Sequence, residues 1–435
     1  MNAPRRELVI DGFALALLKV AAGAWILHAG FTHISDDDYA RTVISEQFAH
    51  APRFDPSGTS WLPFPFWVEG SAMMVFGRTL GVARAVALAA GAATVAAPYL
   101  AMRAIGTRRA AALTATVVAT TLPWNAWLGV ATVPEGWTGA IVAAAIVAMP
   151  LEKARPWATA GLAIGSLARY EAWPACAAMA ALCVLQAIKG GSVRRELAWA
   201  ALALAGPLAW MAWNAHAHDG PLHFVTRVTA FRQAVGAAAM PIADKLVGYP
   251  RALAGEAPVA AALGLAGIVF LRRRDARARW GWPAATALGI LAFLVLGDVR
   301  DGAPTHHAAR ALVAVTWVLV AMGVDAAFAL ADQLRTRPAM RTPVTCGAVV
   351  VAGLVAGTAV LGWSAFPGST EPEQREAQIA RGLDLRTRHV TAIVITPCSF
   401  EHFALLASWG EPERATIQPR TGAPQTPACP LVEER

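Results

Sequence analysis

Charged residues, and lysine above all, are scarce in this chain of 435 residues. Charged side chains make up 15% of the sequence, and only four of the 37 basic residues are lysine. Hydrophobic residues reach 56%, and the mean hydropathy is +0.45. These values lie outside the range of soluble globular proteins and predict a polytopic membrane protein. The abundance of alanine and arginine is typical of a GC-rich bacterial genome.

Nucleotide-binding motifs are also missing from the sequence. It has no P-loop, no G-x-G-x-x-G after a predicted strand, and no soluble segment large enough to bind a nucleotide sugar. The net charge of +8 would suit nucleic acid, but the arginines form short clusters between apolar runs, as the positive-inside rule predicts. We therefore expect membrane lipids, and no nucleic acid, as partners.

Cysteine is rare, with five residues in the chain. Cys176, Cys183 and Cys346 lie in apolar runs and are interpreted as small core residues. Cys398 and Cys429 lie in the polar C-terminal tail. If that tail faces an oxidising compartment, these two cysteines are the predicted disulfide.

Long apolar runs are abundant, and a helix that crosses the membrane needs about 20 such residues. The first run follows Arg5 and Arg6 without a clear cleavage site, so we interpret it as an uncleaved span. With the N-terminus cytoplasmic, five basic connections fall on the cytoplasmic side. We predict an all-α protein of about 11 transmembrane helices in the bacterial cytoplasmic (inner) membrane, with an extracytoplasmic C-terminus. The candidate spans are 13–31, 84–103, 110–130, 136–150, 157–170, 171–188, 196–214, 257–271, 280–297, 308–331 and 343–366.

The segment 157–188 is too long for one span. As a single helix it would measure about 48 Å, against a hydrocarbon core of about 30 Å. Basic loops flank it at both ends, so it must cross an even number of times. We place the break at 168–174, because Arg169 and Glu171 would otherwise lie in lipid and Pro174 cannot continue the helix ladder.

The first outer loop, 32–83, opens with "SDDDYARTVISEQF". Ser35 and Asp38 fit a helix capping box, which is the plain explanation of these acids, although three adjacent carboxylates exceed what a cap uses. Prolines at 52, 56, 63 and 65 exclude a continuous helix through the rest of the loop. Its aromatic residues suit a membrane–water boundary.

The C-terminal tail is polar and rich in proline. Residues 389–397 predict a buried strand, and 399–410 an amphipathic helix that ends at Gly410. We predict a membrane domain over 1–366 and a small extracytoplasmic α/β domain over 367–435. The sequence leaves open whether this domain is a lid or a passive appendage.

Four segments together resemble a known family. They are "DDDYAR", "SWLPFPFWVEG", "GSLARYEAWP" (165–174) and "THHAARALVAV" (305–315), in this order. Residues 13 to about 320 thereby resemble GT-C glycosyltransferases of the protein-mannosyltransferase and aminoarabinose-transferase-like group. The resemblance implies a GT-C fold. It also implies an inverting hexosyl- or pentosyltransferase that uses a polyprenyl-phosphate sugar donor and a glycan, lipid or protein acceptor at the extracytoplasmic face.

The resemblance also implies the catalytic residues. Asp36 and Asp37 match the acid pair that holds the catalytic base, with Asp36 preferred, and Tyr39 matches the aromatic residue that follows. The usual second residue of the pair is glutamate, and Asp38 adds an acid where the family generally has none. Adjacent helical residues point in different directions, so one aspartate would act as the base while the other orients substrate or binds a cation.

Other candidate substrate contacts have plain alternatives. Glu135 is either a second site acid or an ordinary loop residue, and Arg169 with Glu171 is either a structural pair or a substrate site. Arg310 would meet the lipid phosphate or lie at a helix end with its head group in water. The substrate-contact candidates are Asp38, Tyr39, Glu135, Arg169, Glu171, His306, His307 and Arg310.

The sequence leaves metal binding open, because histidines and the aspartates 36–38 offer ligands but no spacing resembles a closed zinc set. A divalent cation is compatible with the sequence without being required by it. A transporter or lipid flippase, or a scaffold without activity, is the alternative to an enzyme. Transporters usually carry ionisable residues near the bilayer midplane and internal repeats, whereas these acids gather on one outer surface.

Overall fold

The computed structural model describes residues 3–234, 240–302, 307–335, 372–418 and 430–434. Helices dominate the membrane part, and each of the first ten predicted spans contains one. The eleventh predicted span, 343–366, lies outside the described residues. The helices are α1 Ala3–His28, α2 Asp37–His50, α3 Phe64–Phe76, α4 Leu80–Thr94, α5 Ala96–Ala104, α6 Arg109–Thr121, α7 Pro123–Trp127, α8 Glu135–Ala148, α9 Arg155–Ser166, α10 Trp173–Ile188, α11 Val193–Ala217, α12 His223–Ala234, α13 Ile242–Glu256, α14 Pro258–Phe270, α15 Arg274–Val299, α16 Ala308–Ala311 and α17 Val313–Arg335.

Five helical segments of the described chain are long and apolar enough to cross a membrane. A sixth is counted if α13 and α14, which are bent by 104° at their junction, form one broken span. The protein is therefore polytopic, as the composition predicts. The total of eleven spans and the orientation of the termini stay predictions. The five segments are Arg6–His28, Leu80–Ala104, Tyr170–Ile188, Arg274–Val299 and Val313–Leu334.

The break predicted at 168–174 is present. Helix α9 ends at Ser166, a single turn covers Tyr170–Ala172, and α10 begins at Trp173. Pro174 lies in the first turn of α10, where a proline lacks no helix hydrogen bond. The Trp173 indole N–H donates to the carbonyl oxygen of Ser166 at 2.9 Å and closes the corner. The chain therefore turns where a proline and two charges coincide.

The main core lies among helices α5, α6, α8, α10 and α17 and consists largely of alanine, valine and leucine. Small side chains let helix backbones approach closely, which favours helix association in membranes. Ion pairs fasten helix ends around this core. Arg109 at the start of α6 donates to both carboxylate oxygens of Asp11 in α1, at 2.7 and 2.8 Å. Arg155 Nη1 donates to both carboxylate oxygens of Glu196, each at 2.8 Å.

The C-terminal residues form a small sheet with two helices. Helix α18 spans Pro372–Thr387 and helix α19 spans His402–Trp409. The strands β1 Ile393–Thr396, β2 Ala415–Ile417 and β3 Leu431–Glu434 form a sheet of order β2-β1-β3. Strand β1 pairs in parallel with β2 and antiparallel with β3. The predicted strand and helix coincide with β1 and α19, while the location of this domain outside the cytoplasm stays a prediction.

Among the described cysteines, two are free and one forms a disulfide bond. Cys176 and Cys183 are free and buried within α10, and Cys398 forms a disulfide bond. Cys346 and Cys429 lie outside the described residues. The pairing of Cys398 with Cys429 therefore stays a prediction.

Close packing of α14 and α17 depends on Gly323, and this generates a first prediction. A methyl group at this position would collide with the backbone carbonyl of Leu263. We expect Gly323→Ala to lower the free energy of unfolding by about 1–3 kcal/mol, measured by thermal unfolding in detergent. Gly289→Ala in α15 is the matched control, because nothing lies within 4 Å of the added methyl. Equal stability of the two variants would contradict this packing.

Candidate active site

The three consecutive aspartates at the start of α2 bind three different partners. Successive residues of a helix are rotated by about 100°, so adjacent side chains diverge. Asp36 faces the C-terminal domain, Asp37 faces Arg310, and Asp38 turns to the backbone. The triplet is therefore three separate contacts, and each carboxylate has its own environment.

Asp38 is buried and fastens the start of α2 to the segment before α8. Its Oδ2 accepts from the backbone N–H groups of Ile34 and Ser35 at 3.1 and 3.3 Å, and its Oδ1 accepts from Thr132 N–H at 3.0 Å. The Ser35 contact is the return bond that the predicted capping box requires, but the N-cap of α2 is Asp36 and no side-chain cap hydrogen bond forms, so the box itself is not made. Burial raises the pKa of Asp38 to about 6, against the opposing effect of Arg310. These contacts are structural, and a substrate contact of Asp38 stays a prediction.

Arg310 connects the first outer loop to the start of α8. Its Nη1 donates to Asp37 Oδ2 at 3.0 Å and to Ser35 Oγ at 3.2 Å. Its Nε and Nη2 donate to Glu135 Oε1 at 3.1 and 2.8 Å. The guanidinium side chain is only 6% exposed, so it is an internal ion-pair partner instead of a helix-end residue with its head group in water.

Glu135 is shared by two arginines. Its Oε1 lies 2.8 Å from Arg169 Nη1 as well as 2.8 Å from Arg310 Nη2, and its side chain is 1% exposed. Arg169 also binds both oxygens of Glu171, at 2.5 and 3.1 Å. Without this buried carboxylate, each of the two arginines would lose a counterion. The predicted role of Glu135 as a second site acid stays a prediction.

Asp37 is the most accessible carboxylate of this cluster. Its side chain is 36% exposed, compared with 1% for Glu135 and 9% for Glu171. Partial burial opposes its ionisation, but Arg310 and Arg41 outweigh this effect and hold the pKa of Asp37 below its usual range. Asp37 is therefore an ionised carboxylate that borders both the buried cluster and the solvent.

Arg41 is a member of this neighbourhood that the sequence analysis missed. Its guanidinium stacks over the Trp61 ring at 4.4 Å, and the residue is 3% exposed. Its Nε and Nη1 are buried and have no hydrogen-bond partner among the described residues. Burial lowers its pKa to about 10, so it stays charged at neutral pH. The available signal was its spacing of four residues from Asp37, which places both on one helix face.

Asp36 and Tyr39 lie against the C-terminal domain. Both oxygens of Asp36 accept from Arg375 of α18, at 2.7 and 2.9 Å. Tyr39 is fully buried, packs against the domain's core, and its hydroxyl lies 3.1 Å from His33 Nδ1. Arg375 was also missed, because nothing in the local sequence links it to a residue 339 positions away.

His307 is the one of the two candidate histidines that lies within the described residues. His306 lies outside the described residues. The His307 ring lies 5.3 Å from the Trp124 ring, and its carbonyl accepts from the Arg310 N–H at 2.9 Å. Its predicted role in substrate binding stays a prediction. Within the described ranges, no group of three or more histidine, cysteine, aspartate or glutamate residues is arranged to hold a metal ion.

The comparisons with known proteins identify the fold. The chain is similar to the oligosaccharyltransferase of Archaeoglobus fulgidus, solved with zinc and sulfate, with a TM-score of 0.54 and 15% identity. The match covers 85% of this chain and 55% of that one, so this chain spans about half the length of that enzyme. Oligosaccharyltransferase is a GT-C glycosyltransferase, and the chain therefore has the predicted GT-C fold.

A second solved relative is ArnT from Cupriavidus metallidurans. Its structure bound to undecaprenyl phosphate aligns with a TM-score of 0.48 and 15% identity over 93% of this chain and 75% of that one. The apo structure aligns equally well, over 94% and 76%. No family model and no curated protein matches the chain.

Two buried glutamates next to the site generate a prediction about pH. Glu46 of α2 and Glu69 of α3 are within electrostatic range of each other. Their oxygens Glu46 Oε1, Glu46 Oε2 and Glu69 Oε1 have no hydrogen-bond partner among the described residues. Burial raises the pKa of Glu69 to about 8 and that of Glu46 well above its usual value. The Glu69 carboxyl is consequently mostly protonated in the folded protein at neutral pH.

We expect Glu69→Gln to stabilise the protein at high pH. A carboxyl whose pKa is raised by folding contributes stability below its unfolded pKa of about 4.3, and this contribution is lost as the pH rises toward about 8. The variant should therefore unfold close to the wild-type temperature at pH 4 and at a higher temperature at pH 8, as followed by thermal unfolding in detergent. The exposed Glu376→Gln is the control and should match wild type at both values. A Glu69→Gln protein with wild-type pH dependence would contradict the raised pKa.

Proposed function

We propose that this protein is a membrane glycosyltransferase that moves a sugar from a polyprenyl-phosphate-linked donor to an acceptor at the extracytoplasmic face. The observation that carries the proposal is the convergence of Asp37, Glu135, Arg169, Glu171 and Arg310 from four separate parts of the chain. The GT-C fold supports the same class of enzyme. An anion site beside an accessible carboxylate is what displacement of a phosphate by a hydroxyl or amine requires.

The donor phosphate would bind to Arg310 and Arg41. Guanidinium groups present several N–H donors in a plane and match phosphate oxygens well. Arg41 has two buried donors without a partner among the described residues, and such donors are costly unless a ligand or water satisfies them. Both arginines would stabilise the negative charge that develops on the departing phosphate.

Asp37 is the base that we propose, ahead of Asp36. Its carboxylate is the more exposed of the two, at 36% against 23%, and it contacts the arginine assigned to the phosphate. Asp36 has both oxygens bound to Arg375. Asp37 would take the proton of the acceptor hydroxyl or amine as that atom bonds to the anomeric carbon. The bond from this carbon to the phosphate oxygen breaks with its electron pair on the oxygen, which inverts the configuration.

Donor binding would also activate Asp37. In the described structure Arg310 stabilises the ionised form of Asp37 and so weakens it as a base. A donor phosphate that engages Arg310 shares its positive charge, which raises the pKa of Asp37 toward a more useful basicity. Glu135, Arg169 and Glu171 would hold Arg310 in place, as positioning residues.

We expect Asp37→Asn to lower transfer of labelled sugar by at least about 100-fold. Asparagine keeps the shape of aspartate and cannot take the proton. The measurement is transfer from labelled polyprenyl-phosphate sugars in membranes with equal amounts of each protein. Asp36→Asn should lose less activity, about tenfold. Full transfer by Asp37→Asn, or complete loss only in Asp36→Asn, would exclude Asp37 as the base.

We expect Arg41→Gln to weaken binding of undecaprenyl phosphate by about tenfold or more, since a guanidinium–phosphate contact is a charge-assisted bond. The measurement is titration of purified protein in lipid nanodiscs, with thermal unfolding as a check on folding. Arg300→Gln is the matched control, because Arg300 is exposed at the end of α15 and should leave binding unchanged. Equal affinities of Arg41→Gln and wild type would remove Arg41 from the phosphate site.

A further inference from the structure

An arginine of the C-terminal domain binds Asp36, the residue just before α2. Arg375 of α18 donates from Nε to Asp36 Oδ1 at 2.7 Å and from Nη2 to Asp36 Oδ2 at 2.9 Å. The arginine side chain is 10% exposed and that of Asp36 is 23% exposed. Two parallel, charge-assisted bonds fix both the distance and the direction of the carboxylate. Asp36 is therefore held by a residue that lies outside the membrane domain.

The domain that carries Arg375 is firmly packed on α2. Tyr39 and Val43 of α2 belong to the same buried apolar cluster as Leu385, Leu405 and Trp409 of the domain. Burial of apolar side chains from both partners is typical of a permanent interface. An exposed hinge contact would leave these residues accessible to water.

Polar contacts close the far edge of this interface. Arg78 binds both oxygens of Glu413 at 2.8 Å, and Arg386 Nη1 donates to the carbonyl oxygen of Arg78 at 2.8 Å. Gly410, in the left-handed conformation with φ of 83°, lies so close that a methyl group there would be 2.5 Å from the same carbonyl oxygen. The domain therefore contacts the first outer loop at both Asp36 and Arg78. These contacts leave no space for the domain to slide along the loop.

The consequence for the site follows from chain connectivity. Asp36, Asp37 and Asp38 are consecutive, and each is held by a different part of the protein. Arg375 holds the first, Arg310 the second, and backbone groups near Thr132 the third. Without Arg375, the first residue of this set would be free to rotate, and Asp37 beside it would lose part of its fixed direction.

We propose that Arg375 is a positioning residue of the active site, and that the C-terminal domain is a fixed part of the catalytic unit. It orients the start of α2 through Asp36, so that Asp37 points to the acceptor and Arg310. The inference rests on the proposed transferase function. It replaces the two roles that the sequence left open, a lid or a passive appendage, with a third, in which the domain stays packed on α2 and orients the site.

The test compares Arg375→Gln, Asp36→Asn and the double variant in the full-length protein. Transfer from labelled polyprenyl-phosphate sugars gives kcat and the donor KM, and titration with undecaprenyl phosphate gives ground-state binding. We expect each single variant to lower kcat about tenfold, with donor KM and undecaprenyl phosphate affinity within about twofold of wild type. The double variant should resemble the single variants, because both remove the same contact. Arg375→Lys should recover part of kcat.

Arg388→Gln is the control from the same domain, since Arg388 pairs at the surface with Asp384 and Glu434 and should keep wild-type kcat. An Arg375→Gln protein with wild-type kcat would overturn the inference and leave the proposed function intact. Losses that multiply in the double variant would overturn it as well, because the two residues would then act independently. A wild-type protein that neither transfers sugar nor binds undecaprenyl phosphate would overturn the proposed function and this inference with it.

Discussion

The ion cluster around Glu135 is the constraint on which the candidate site depends. Charged groups removed from water are tolerated only when they are paired, and Glu135 is paired with both Arg169 and Arg310 through a single oxygen. Arg169 links Glu135 to the corner between α9 and α10, and Arg310 links it to the first outer loop through Asp37. The positions of four chain segments thus follow from the need to neutralise a few buried charges.

The same cluster explains why the chain needs consecutive carboxylates where it leaves the first helix. Asp38 lies in the first turn of α2, where an acidic side chain suits the positive end of the helix dipole, and it accepts from the backbone N–H groups of Ile34 and Ser35 just before the helix. The neighbouring acids point elsewhere and remain available for arginines. One short acidic run therefore binds backbone N–H groups beside a helix start, pairs with a buried arginine and contacts a separate domain.

Local features of this structure were predictable from sequence, and distant pairings were not. The corner at 168–174 follows from the coincidence of Pro174 with two charges, and the end of α19 follows from Gly410. The partner of Asp36 lies 339 residues along the chain, and no local pattern identifies Arg375 among 33 arginines. The number of spans is equally hard to predict, because helices such as α9, with 12 residues, are shorter than a simple crossing requires.

The distance in sequence between Asp36 and Arg375 also bears on how the site forms. Contacts between remote residues form only after long loops have closed, so they tend to appear late in folding. The membrane helices can pair Arg310 with Glu135 without the C-terminal domain, since 175 residues separate them and both lie within the bundle. The acidic start of α2 contacts both the helix bundle, through Arg310, and the C-terminal helices, through Arg375.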